Sequence, residues 1–82
     1  MNNKFILESL ASDLKRVALG LNRGSSKMVE RFLEEALKRR QEVEMNDVKP
    51  YIKKILNNLD EHINAEDALM YSTLIQNYTQ RI

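Results

Sequence analysis

The stretch Leu21–Met28, LNRGSSKM, sets Arg23 and Lys27 beside Ser25, Ser26 and Gly24. Free N–H groups at a helix start, reinforced by cations and hydroxyls, could hold a phosphate or sulfate. A plain joint between helices needs the same letters: a glycine for the left-handed residue after one helix, and a serine to cap the next. Gly20 and Gly24 are the chain's two glycines, so no GxxxxGK[ST] pattern exists and a P-loop is excluded. The stretch is therefore expected to be an architectural joint that binds phosphate only weakly.

Bases gather around it. Lys15, Arg16, Arg23, Lys27 and Arg31 flank the joint, and with Ser25 and Ser26 they form the candidate contact set for an anion or a nucleic-acid backbone. Such an edge would work by counterion release, without reading base sequence. Acids are interleaved, however: Asp13, Glu30, Glu34 and Glu35 lie among the bases, and Glu34–Lys38 and Glu35–Arg39 have the i,i+4 spacing of an exposed helix. A solvated helix face accounts for this pattern better, and nucleic-acid association is the alternative. A helix-turn-helix with Gly20 as its turn residue would put Arg16 and Ser26 at inward positions, at a cost of about 1–3 kcal/mol each.

Catalytic chemistry finds little to work with. His62 is the only histidine, there is no cysteine, and Leu59 stands where a Glu-x-x-His metal pair would need its glutamate. No serine has a histidine at motif spacing. No catalytic residue, metal or cofactor is assigned.

The elements that must carry these residues are helices. Apolar residues are 43% of the chain, charged residues 30%, and the formal charge is +1, a globular composition that does not demand a polyanionic partner. The N-terminal run Phe5-Ile6-Leu7 is too short for a signal-peptide core, so the cytoplasm is the expected compartment, and no stretch approaches the roughly 20 apolar residues of a membrane span. With few turn residues and no strict alternation, the chain reads as an all-α, four-helix, up-and-down antiparallel bundle in one domain, residues 1–82.

Helices are expected at about 3–22, 27–44, 48–62 and 65–81, with breaks near Gly24, Asn46 and Asn64. The first has a stripe of Ile6, Leu10, Leu14, Val17 and Leu21, widened by Leu7, Ala11 and Ala18. The second offers Val29, Phe32, Leu33, Ala36, Leu37 and Val43, with Glu30 near a capping-box position and the Arg40 stem on the core edge, its head in water. Asn46 or Asp47 should cap the third, Pro50 should fall in its first turn, and Tyr51, Ile52, Ile55, Leu56 and Leu59 should face inward, with His62 near its end. The fourth should bury Ala68, Tyr71, Leu74, Ile75, Tyr78 and Ile82.

Apolar residues are left over. Leu69-Met70-Tyr71 spreads apolar surface over about 200° of arc on the last helix, and Phe5 and Leu19 lie off the main stripe of the first. A thicker bundle core would account for this surplus as well as an interface would; as an interface, Phe5, Leu69 and Met70 are the candidates, covered by a protein partner or a second copy of the chain.

Overall fold

Asn2 starts the first helix: its side-chain oxygen accepts from the Phe5 N–H at 3.0 Å. In the computed structural model, which describes residues 2–82, α1 then runs Asn3–Arg23 and α2 runs Ser26–Glu42. A short 3-10 turn, Met45–Asp47, leads to α3, Pro50–Asn57, and α4 spans Ala65–Thr79. The described residues form an all-α up-and-down bundle with no strand.

α1 is the central element. Its buried residues, among them Ile6, Leu7, Leu10, Ala11, Leu14, Val17 and Ala18, cover a wide arc, so α2 packs on one side and α4 on the other. Both run antiparallel to it: Asp13 meets Arg39, Asn3 meets Glu44, and Ala11 meets Ser72. The core has two parts. Ile6, Leu7, Leu10 and Leu14 pack with Ala36, Ile52, Ile55, Leu56, Leu59, Ile75 and Tyr78. Toward the other end, Val17, Ala18, Leu33 and Ala68 form a smaller cluster.

Small residues set the spacing between helices. A Cβ at Gly20 would lie 3.0 Å from Val29 Cγ2 and 3.2 Å from Met28 Cβ, so glycine there permits the close approach of α1 and α2. On the other seam the buried Ser72 hydroxyl donates to the Ala11 carbonyl at 2.6 Å. At the open end of the α1–α2 hairpin the Asn3 amide makes a double clasp: Nδ2 donates to the Glu44 carbonyl, and Oδ1 accepts from the Glu44 N–H, both at 2.9 Å.

Several local expectations are corrected. α3 ends at Asn57 rather than near residue 62, because Asn57 and Asn58 are poor helix formers and the Asp60 carboxylate takes the His62 N–H at 2.8 Å in a competing turn. The Arg40 head is not simply in water: Nη1 donates to the Leu56 and Leu59 carbonyls at 3.3 and 2.6 Å, at the end of α3 and in the turn beyond it. Lys49, without a side-chain bond, takes the cap position before Pro50, while Asn46 and Asp47 belong to the 3-10 turn. Tyr51 is exposed and meets Tyr78 edge to face at 6.0 Å.

The stripe of α4 is also rotated from expectation. Ala68, Ser72, Ile75, Tyr78 and Thr79 are buried, whereas Leu74 and Ile82 are 38% and 51% exposed. Ser72 and Thr79 take inward positions because each hydroxyl donates to a backbone carbonyl, Thr79 to Gln76 at 2.7 Å, so neither is buried without a partner.

Leu14 and Leu74 provide the test of this orientation. Leu14→Ala, at a fully buried site, should cost about 2–5 kcal/mol in urea unfolding, and Leu74→Ala less than about 1 kcal/mol. Equal losses at both positions would show that α4 faces the other way.

Candidate functional site

The LNRGSSKM stretch folds as a tight helix–helix joint. Gly24 has φ +68°, the left-handed value that side chains resist, the Gly24 N–H donates to the Leu21 carbonyl at 3.3 Å, and the Ser25 N–H donates to the Gly20 carbonyl at 2.9 Å. Ser25 is the cap: its Oγ accepts from the Met28 N–H at 3.3 Å, while Ser26 is the first residue of α2. Glu30 falls two residues beyond the capping-box position, which Met28 occupies. The shallow concavity beside the joint is lined by Gly20, Leu21, Gly24, Ser25, Ser26, Val29 and Glu30, with neither Arg23 nor Lys27 among them. The cap hydroxyl is already bonded, and the nearest charged lining residue is an acid.

The candidate bases divide among different surroundings. Arg16 and Arg31 come together over Phe32, their guanidinium carbons 5.3 and 5.4 Å from the ring centre, and Arg16 also donates to Ser12 Oγ at 2.9 Å. Lys15 lies on the other side of α1, in a polar groove of about 490 Å³ shared with Lys4, Glu8, Gln76 and Gln80 of the α1–α4 seam. Arg23 and Lys27 flank the joint at the end of the hairpin.

A partly buried ion pair lies between α1 and α2. Arg39 Nε donates to Asp13 Oδ2 at 3.0 Å; the Asp13 side chain is 9% exposed and that of Arg39 34%. Glu35 stands 3.9 Å from the same guanidinium, as its i,i+4 spacing requires. Burial pushes the Asp13 carboxyl above the ordinary aspartate value, with Arg39 pulling against that rise. Sequence reading placed Asp13 among the solvated acids. The available signal was its position seven residues from both Ile6 and Gly20, on the flank of the stripe that α2 covers.

His62 is exposed in the turn after α3, with Glu61 Oε1 3.9 Å from its Nε2. Among the described residues no group of three or more His, Cys, Asp or Glu side chains is placed to hold a metal ion, and no helix is long and apolar enough to cross a membrane.

The apolar surplus does not form one patch. Phe5 is 60% exposed beside Glu8, Ser9 and Arg16, whereas Leu69 and Met70, 49% and 48% exposed, belong to α4. With Ala11 opposite Ser72, Phe5 lies six residues toward one end of the bundle and Leu69 three toward the other, about 13 Å apart along the axis. Comparison with known protein families, characterised proteins and solved structures finds no match to this chain.

Two predictions follow from this geometry. Ser25→Ala should cost about 1 kcal/mol through the lost cap, whereas Arg23→Ala combined with Lys27→Ala should leave unfolding nearly unchanged. Saturable micromolar phosphate binding at the Ser25–Met28 amides, abolished by that double variant, would overturn the architectural reading. The second concerns the ion pair. Arg39→Met leaves the Asp13 carboxylate without its cation and should cost about 1–3 kcal/mol at neutral pH, reduced from a fully buried pair because Arg39 reaches solvent. Since the folded-state pKa of Asp13 is raised, the native state holds its proton more readily than the unfolded chain, and the carboxyl's contribution to stability falls as pH rises through that range. Losing Arg39 raises that pKa further, so the deficit of the Arg39→Met protein should shrink as pH falls from neutral, beginning above the ordinary aspartate range, because the carboxyl there takes up its proton. A deficit that stays constant with pH in urea unfolding would refute this account.

Proposed function

We propose that this chain is a non-catalytic interaction module that works by self-association, as a small homo-oligomeric accessory protein. The observation that carries the reading is the outward face of α4, where Leu69, Met70 and Leu74 stand 49%, 48% and 38% exposed. Ser72 and Thr79 hold the inward positions of this helix, which leaves three large apolar side chains outside. In a chain of 82 residues, whose thin core leaves modest stability, covering such a face with a second copy removes apolar surface from water at little structural cost.

Nucleic-acid association through the basic edge is less well supported, because Arg16 and Arg31 are engaged over Phe32 and Lys15 faces a different groove.

Sedimentation across a hundredfold concentration range should show mass rising above the 9.6 kDa of one chain. A monomer throughout would overturn self-association. A salt-sensitive complex with DNA or RNA, lost in the Arg23→Ala, Lys27→Ala protein, would favour the basic edge instead.

A further inference from the structure

Glu66, Met70, Thr73, Leu74, Asn77 and Arg81 are all exposed and follow one another along α4 and its closing turn at three-, four- and one-residue steps. At 100° per residue they fall on a single outward stripe. No charged residue lies between Asp67 and Arg81, so the stripe is acidic at its start, neutral through its middle, where apolar Met70 and Leu74 alternate with polar Thr73 and Asn77, and basic at its end. Neither Glu66 nor Arg81 has an ion-pair partner within 4 Å among the described residues.

We infer that this stripe binds a second copy of itself, with the two α4 helices antiparallel and the two-fold axis passing between Thr73 and Leu74. The inference rests on the self-association proposed above and specifies its surface and register. In this register Glu66 of each protomer faces Arg81 of the partner, about 11 Å to either side of the axis, and Met70 and Leu74 of both chains meet at the centre. The charge pattern favours this direction. A parallel copy would set Glu66 against Glu66 and Arg81 against Arg81, and would align the two helix dipoles. An isologous pairing needs a surface complementary to itself, and opposite charges at the two ends of a neutral stripe meet that condition.

The dimer is weak. Burying about a tenth of each chain's 5491 Å² surface gives a total near the lower limit of specific interfaces, so association depends on concentration. The charged ends add direction more than affinity and lose influence as salt rises.

Charge reversal tests the register without touching the core, because Glu66 and Arg81 are exposed. In sedimentation at low salt, E66R and R81E alone should each dimerise about tenfold more weakly than the natural chain, since each sets two like-charged pairs face to face. The E66R/R81E double variant should recover the natural dimerisation. An equimolar mixture of the two single variants should form a heterodimer more readily than either forms a homodimer, because both of its end pairs are then opposite in charge. If the natural chain dimerises while the single variants dimerise equally well and their mixture shows no preference, the register is wrong and self-association stands. If the natural chain stays monomeric at all concentrations, both fall. Circular dichroism matching the natural chain confirms that each variant is folded, so that weakened association reports on the surface.

Discussion

Burial of the wide apolar arc of α1 is the constraint to which the other elements answer. One partner helix cannot cover an arc that includes Ile6, Leu7, Leu10, Ala11, Leu14, Val17 and Ala18. α2 and α4 therefore pack on opposite flanks, and α3 fills the remaining side with Ile52, Ile55 and Leu56. Because α1 is shared, its flanking residues decide how closely each neighbour approaches. Gly20 does so toward α2, and Ala11, through its carbonyl, toward α4.

The polar groups in this interior are few, and each has a partner. Among the described residues no buried side-chain nitrogen or oxygen lacks a hydrogen bond. Ser72, Thr79, Asp13 and Arg40 are each bonded to a neighbouring helix, to the preceding turn of the same helix or to the end of α3. Asp13 and Arg39 tie α1 to α2 at a defined axial position, since sliding either helix by one turn would leave the carboxylate in the interior without its cation. Arg40 supports the early end of α3: its guanidinium donates to the Leu56 and Leu59 carbonyls, which in a longer helix would accept from N–H groups four residues on.

Placing Ser72 and Thr79 inward has a consequence at the surface. Turning α4 to present small hydroxyl-bearing residues to α1 carries Leu74 out, in line with Met70, and produces the outward stripe on which self-association is proposed. Three of the bases of α1 and α2 are engaged within the hairpin, Arg16 and Arg31 over the Phe32 ring and Arg39 on Asp13. α4, by contrast, keeps Glu66 and Arg81 at the ends of an uncharged surface.

The all-helical class, the joint at Gly24, the break at Asn64 and most of the core of α1 were legible in the residues, because they depend on local rules. Apolar spacing of three and four identifies a helix, a glycine stops it, and a side-chain oxygen starts the next. The Asn64 oxygen accepting from the Asp67 N–H at 2.7 Å is such a local event. The face of α4, the early end of α3 and the burial of Asp13 were settled only in three dimensions. Hydropathy assigns serine and aspartate to water and leucine to the core, but the face of α4, the end of α3 and the burial of Asp13 each depend on a group distant in sequence: Ala11 for Ser72, Arg40 for the end of α3, Arg39 for Asp13. A polar residue is stable inside only where a partner waits, and which partner waits is a property of the packed bundle.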